Sequence, residues 1–232
     1  MKIQWLGHSA FKVMGANACV LIDPFLSGNP KFTGTIDKAA EGVGHVLLTH
    51  AHNDHVGDTL AILDRTGATL VTMVELAGYL GSALHGAKSI GLNYGGTHHT
   101  HDGLEIALVP AWHTSSYSAS DGSIVDGGMP AGVVLKIDGH TILHMGDTTI
   151  FSDMALINEI YRPDIGIVPI GGHYTMDARV AALAVNRYFD FDTILPCHYL
   201  TFPSLAQSAD AFVAAVTKGT VLTPAPMETV EI

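Results

Sequence analysis

Basic side chains are scarce in this sequence: 11 Lys and Arg stand against 22 Asp and Glu, a formal charge of -11 at pH 7. A net acidic surface repels phosphate backbones and anionic lipid heads, so neither nucleic acid nor a membrane is an expected partner. Charge of either sign is low, at 14% of residues, whereas 47% are hydrophobic. A chain this apolar buries a large core, which excludes disorder. Cysteine is nearly absent. Cys19 and Cys197 fall in apolar, strand-like runs and form no disulfide framework, which reads as two buried thiols in a reducing cytoplasm. No window approaches the ~20 apolar residues of a membrane span. The N-terminal run Met1 to His8 lacks an apolar signal core and a small-residue cleavage site. Linkers, low-complexity tracts and charge runs are missing too, so the 232 residues fit one domain spanning 1–232. The expectation is a soluble, cytoplasmic protein whose apolar content permits a homo-oligomeric interface.

Histidine is abundant, with 14 copies, and its placement is more informative than its number. Ile3 to Trp5, Ala10 to Met14, Cys19 to Asp23 and His45 to Thr49 read as strands, the last with a fully buried centre at Val46-Leu47-Leu48. Val56 to Arg65 has helical apolar spacing and Gly67 to end it. Thr69 to Met73 reads as a strand and Glu75 to Leu84 as a helix. Two Asp-Gly pairs, Asp102-Gly103 and Asp138-Gly139, sit between strand-like runs and suit type I′ hairpin turns. Asp153 to Tyr161 reads as a helix that stops before Pro163. Ile165 to Pro169 is a buried strand, Asp177 caps a helix over Ala178 to Phe189, Thr193 to Leu195 is a strand, and Ser204 to Lys218 is a last helix closed by Gly219. Strands and helices mixed in this way predict an α/β chain with two β-sheets face to face and helices outside.

His50, His52, Asp54 and His55 lie within six residues, directly after a buried strand. Neutral imidazole and carboxylate are the ligands that borderline divalent metals take. In a turn, alternate residues converge, so His50 and His52 can share one ion while Asp54 and His55 face a second position. A polar turn at a strand end is the plainer alternative. Four ligands do not fill two shells, and further candidates follow other strands: His113 after Val109, Asp147 after Met145, and His198 after Leu195. The run Thr114 to Ala131, rich in Ser and Gly, is long for a connection and suggests a loop over the substrate.

The run Thr49-His50-Ala51-His52-Asn53-Asp54-His55-Val56-Gly57-Asp58, followed by a His, a Gly-Asp and a His, resembles the signature of metallo-β-lactamase-fold hydrolases. Ile22-Asp23-Pro24, Pro110-Ala111-Trp112-His113 and Pro169-Ile170-Gly171-Gly172 are most similar to a compact subgroup of metal-dependent hydrolases related to ascorbate-6-phosphate lactonases. The resemblance covers almost the whole chain. It implies an αββα sandwich, with His50, His52 and His113 on one metal, Asp54, His55 and His198 on a second, and Asp147 bridging. It implies two divalent ions, zinc from the His-rich ligand set or, alternatively, manganese or iron. The implied chemistry is attack of a metal-bridging hydroxide on a small ester-like substrate: a lactone, carboxylic ester or phosphodiester. RNA processing within the same superfamily and a non-catalytic metal-binding module are the alternatives. Asp54 is assigned to orient the hydroxide. His173 is a candidate for proton donation or substrate contact, where the subgroup usually carries another residue; a backbone-bonded loop histidine is the other reading. His8, in Gly7-His8-Ser9, is placed at the site edge, touching substrate rather than metal. Asp58 is read as structural and His98, His99 and His101 as surface residues. His45, His85, His140 and His144 carry no functional assignment.

Overall fold

The structure, a computed structural model, describes residues 1–84 and 86–232. The first sheet contains β1 (Lys2–Trp5), β2 (Phe11–Met14), β3 (Cys19–Ile22), β4 (His45–Leu47), β5 (Thr69–Met73) and β6 (Ser89–Leu92). The second contains β7 (Thr97–His99), β8 (Glu105–Pro110), β11 (Ala131–Ile137), β12 (His140–His144), β13 (Ile165–Pro169), β14 (Thr193–Cys197) and β15 (Thr220–Val221). Between β8 and β11, β9 (Ser116–Ser118) and β10 (Ile124–Asp126) form a separate two-stranded ribbon, and β16 (Thr229–Glu231) returns to pair with β1. The strand orders are β16-β1-β2-β3-β4-β5-β6 and β15-β14-β13-β12-β11-β8-β7. The helices are α1 (Ile36–Ala40), α2 (Asn53–Val56), α3 (Thr59–Thr66), α4 (Val74–Gly81), α5 (Met154–Tyr161), α6 (Ala178–Tyr188) and α7 (Asp210–Ala215).

Strand alternation sorts the core. Val20, Ile22, Leu47, Val71 and Met73 point into the layer between the sheets, where they join Leu108, Val133 and Leu135. Their neighbours Leu21, Val46, Leu48 and Leu70 point the other way and pack with Ala39, Ile62, Leu63 and Leu76 of α1, α3 and α4. Period-two alternation with both faces buried is what a sheet covered by helices requires. Each fully buried aliphatic side chain stabilises the frame by about 1.5–3 kcal/mol.

Direction matters more than order. β3, β4, β5 and β6 are parallel, and β1 runs with them because β2 is antiparallel to both β1 and β3. In the second sheet β12, β13 and β14 are parallel, and β8 shares their direction because β11 is antiparallel to β8 and β12. The segments after β1, β3, β4, β8, β12 and β14 therefore all leave their sheets at carboxyl ends. His8, Asp23, the His50–His55 cluster, His113, Asp147 and His198 lie on these segments.

Several expectations are corrected. The helix from Val56 to Arg65 is two helices, α2 and α3, separated at Gly57-Asp58. The carboxylate of Asp58 accepts from the amides of Leu26 and Ser27 and from the Ser27 hydroxyl, so Asp58 is structural, as its position suggests. The helix over Ser204 to Lys218 shrinks to α7. The amide of Ala206 is drawn away to the Gly171 carbonyl, and Ala206 accepts from the Leu200 amide, which fixes this stretch as a loop. Asp138-Gly139 has the two positive φ values of a type I′ turn, but at the other pair only Gly103 is positive. Asp102 instead takes part in a wider loop in which its carboxylate meets His45 Nε2 at 2.9 Å. Asp177 caps α6 as expected, accepting from the Val180 amide.

Candidate metal centre

Six side chains converge with Asp147 at the shared edge of the two sheets. His50 Nε2 and His52 Nδ1 face each other at 3.0 Å, and His113 completes a group whose ligand atoms lie within 4.8 Å of one another. Asp54, His55 and His198 form a neighbouring group with His8 at the same spacing. Asp147 lies between them: Oδ1 is 3.4 Å from His55 Nε2, and Oδ2 is 3.5 Å from His113 Nε2 and 3.1 Å from His198 Nε2. The sequence-derived set of seven is thus brought together in two groups with one shared carboxylate.

Local backbone makes this convergence possible. His8, Asp23 and His198 all adopt positive φ, between 47° and 57°. Such conformations are strained for non-glycine residues and persist only where surroundings hold them. Here the His8 carbonyl accepts from the Trp5 indole at 2.9 Å and from the His198 amide at 3.0 Å, which ties the loops together. Gly146, at φ 63°, sets Asp147; a Cβ there would lie 2.5 Å from the Ala131 carbonyl oxygen.

Asp23, to which the sequence assigned no role, is fully buried and orients the cluster. Its carboxylate accepts from His55 Nδ1 at 2.7 Å, from the Thr49 hydroxyl at 2.6 Å and from the Thr49 amide at 2.8 Å. The Thr49 hydroxyl in turn lies 2.9 Å from His50 Nδ1. The acceptors Asp23 and Thr49 favour the tautomer with the proton on Nδ1 in both rings, which leaves Nε2 as the atom that faces the cluster, the arrangement that metal-binding histidines use. The available signal was Asp23 itself, an acid before a proline at a strand end.

His8 is 0% exposed and does not line the cleft. Its Nε2 meets Asp54 Oδ2 at 3.1 Å and its Nδ1 meets Thr201 Oγ1 at 3.0 Å. The substrate contact assigned to it is replaced by a bond that holds Asp54. His173 is exposed and packs edge-on against Tyr174, with centroids 4.4 Å apart; Tyr174 lines the cleft, and His173 does not. The other histidines are elsewhere: His140 pairs with Asp164, His144 Nε2 bonds the Ser9 carbonyl, and His99 and His101 are exposed. His85 lies outside the described residues.

The residues fit a resident metal. His55 Nε2 and Asp147 Oδ1 are buried, aim into the cluster and have no hydrogen-bond partner among the described residues. Such orphaned groups are costly unless something binds them. Charge agrees. Burial disfavours the imidazolium of His55, yet the carboxylates of Asp147 and Asp23 outweigh it and hold this ring well above its ordinary pKa. The position therefore favours positive charge, as a cation site does. Burial, with His55 next to it, pushes His50 well down, and burial also lowers His52 and His113, leaving them neutral donors. Burial opposes ionisation of Asp147, but His198 and His55 hold it well below the usual carboxylate range.

The segment after His113 is a wall rather than a loose cover. Asn53 brackets it, donating to the Ser118 carbonyl at 2.9 Å and accepting from the Ser118 amide at 3.0 Å. Ser115 Oγ accepts from the Ala51 amide. A Cβ at Gly127 would come within 2.1 Å of Ala51 Cβ, so the ribbon base sits flush on the His50–His55 segment. Above the cluster opens a cleft of about 800 Å³, with Phe25, Phe202 and Tyr174 on its sides.

The family model described as a beta-lactamase superfamily domain matches residues 2–198. A UPF0173 metal-dependent hydrolase of Chelativorans sp. is 49% identical over 238 residues, covering 100% of both chains. One of Brucella anthropi is 50% identical over 219 residues, covering 93% of this chain and 92% of its own. Among solved structures, a metallo hydrolase from Ignicoccus hospitalis is 36% identical and superposes with a TM-score of 0.83, covering 100% of this chain and 98% of the other. The two facing sheets, the histidine-carboxylate cluster at their shared edge and this similarity lead to one conclusion: the chain belongs to the beta-lactamase superfamily domain family, has the metallo-β-lactamase fold, and is a metal-dependent hydrolase of the UPF0173 group.

Proposed function

We propose that the protein hydrolyses a small, uncharged carbonyl substrate, a lactone or carboxylic ester, at a two-metal centre. One observation carries the substrate class: among the described residues, no Lys or Arg lines the cleft, while Phe25, Phe202 and Tyr174 do. A phosphorylated lactone of the ascorbate-6-phosphate type, or a phosphodiester with further phosphates, would bring negative charge beyond the reach of the metal ions to a wall without a counter-charge. Buried anionic groups need such a partner.

Two divalent ions in this cluster, zinc by ligand chemistry, with manganese or iron as the alternatives, would supply Lewis-acid charge that lowers the pKa of a water and stabilises a developing oxyanion. His50, His52 and His113 would hold one, Asp54, His55 and His198 the other, and Asp147 both. Asp54 faces the cleft and accepts a hydrogen bond from the attacking water, directing its lone pair at the carbonyl carbon. His8 keeps that carboxylate in place. Asp23 and Thr49 keep His55 and His50 in the ligating tautomer. The ring of Tyr174 shields the reacting carbonyl from bulk water, and His173 supports Tyr174 from the rim.

A matched pair of nitrophenyl substrates tests this reading. With the metal-loaded protein, kcat/KM divided by the uncatalysed rate constant of the same substrate should be larger for a carboxylic ester than for a phosphodiester with the same leaving group by at least about tenfold, or 1.4 kcal/mol in transition-state binding. A preference for the phosphodiester would overturn it. Metal binding with no turnover of any ester, lactone or phosphodiester would favour a non-catalytic module.

A further inference from the structure

We propose that a second groove, on the far side of His113 from the cleft, binds an apolar arm of the substrate whose carbonyl lies over the cluster. This rests on the ester-hydrolysis reading and extends it to the shape of the substrate. The groove has a volume of about 640 Å³, within the range of small-molecule sites. His113 and Thr114 line both the cleft and the groove, so a substrate reaching across them touches both.

The groove has large apolar side chains on its walls, and two of its rings are held in place. Trp112 is 66% exposed and Met129 61% exposed, two large apolar side chains left uncovered beside a reaction centre. Trp112 is not a loose surface ring: its amide donates to Thr148 Oγ1 at 2.9 Å, and its indole stacks on Phe151 with an interplanar angle of 17°. Opposite, Tyr94 donates its hydroxyl to the Pro130 carbonyl, which satisfies its polar end and leaves the ring as wall. Among the described residues no Lys or Arg lines the groove, and its one charged side chain, Asp126, is an acid. An anionic arm is therefore repelled, whereas an uncharged aromatic or branched aliphatic arm gains contact with Trp112 and Met129. Trp112 and Tyr94 are held before binding, so little ordering cost falls on those two faces.

The test has two parts. Trp112 and Trp5 are the two tryptophans, and Trp5 is buried against Tyr199. Energy transfer from the tryptophans to a neutral probe, N-phenyl-1-naphthylamine, reports binding in metal-free protein, and its change on substitution of groove residues assigns that binding to the groove. Saturable transfer is expected, weakened in Trp112→Phe, where Trp5 is the remaining donor, with affinity reduced about tenfold in Met129→Glu. In the metal-loaded protein, nitrophenyl esters of phenylacetic and acetic acid are compared. The ratio of their kcat/KM values should favour the phenyl arm by about tenfold or more and fall about tenfold in Trp112→Ala. Ile160→Ala, on the exposed face of α5, should keep the wild-type ratio. Ester turnover with an unchanged ratio in Trp112→Ala and Met129→Glu, and no saturable transfer, would overturn the groove while leaving ester hydrolysis standing. Saturable transfer without turnover of any ester would instead sink the hydrolysis reading and support the groove as an apolar binding site.

Discussion

Replacing Asp23 by Asn changes one atom in a residue that touches no substrate, yet it should damage the metal centre. Asp23 accepts three hydrogen bonds, two of them on Oδ2, from His55 Nδ1 and the Thr49 hydroxyl. Asn keeps one acceptor, which the Thr49 amide takes, and presents its NH2 to His55. Two donors then face each other. His55 can relieve the clash only by moving its proton to Nε2, the atom that aims into the cluster. The Thr49 hydroxyl, no longer able to donate to this side chain, turns to accept from its amide, which loosens the oxygen that His50 Nδ1 meets. Loss of such an orienting partner costs about 10–100-fold in metal affinity, equivalent to about 1.4–2.7 kcal/mol. Asp23→Ala should also lower stability, because the Thr49 amide and His55 Nδ1 are left buried without acceptors at about 1–3 kcal/mol each. Chelator competition gives the metal Kd, and thermal melting of metal-free protein separates folding from affinity. A folded Asp23→Asn protein with the wild-type Kd would refute the orienting role.

Other consequences follow from the same geometry. His8→Asn, which tolerates the positive φ at that position, should release Asp54 and lower kcat by about tenfold or more, while His8→Ala should add backbone strain of about 1–2 kcal/mol, visible in urea unfolding. Gly127→Val drives carbon into Ala51 and should cost about 1–3 kcal/mol, with reduced activity from a displaced ribbon. Burial pushes the Cys197 thiol well above its ordinary value, and burial raises the partly exposed Cys19 as well; at pH 8 a thiol reagent should label Cys19 slowly, spare Cys197, and label both after unfolding. The metal-free protein should lose stability as pH falls from about 6.5 toward about 4. Burial lowers His8 to about 4, and likewise depresses His50, His113 and His144, so the unfolded chain binds more protons over that window. His55, held upward by Asp147 and Asp23, acts in the opposite sense but is one group against several. Urea midpoints at pH 7.5 and 5 in excess chelator check the sign.

The seven clustered residues were legible in the sequence because each follows a strand, and because His50, His52, Asp54 and His55 crowd one turn. The two-sheet plan was legible from alternating apolar runs and from Asp138-Gly139. What escaped was set by contacts between distant segments. The bond from Ala206 to Gly171 dissolves the start of the helix expected from Ser204, although local spacing favours it. The ribbon between Ser116 and Asp126 has little hydrophobic pattern, and its position depends on Asn53 and Ala51. His8 and Asp23 lie 46 and 32 residues from the cluster residues they hold, Asp54 and His55. Their type suggested chemistry, but only folding shows what each one grips.

The central claim is tested most directly by metal content. Protein purified without added metal, and again after reconstitution, should carry about two equivalents of divalent ion per chain, and Asp147→Ala, which removes the carboxylate between the two groups, should carry fewer. A wild-type protein that binds no divalent ion under either condition, or an Asp147→Ala protein with an undiminished complement, would contradict a centre built on these residues.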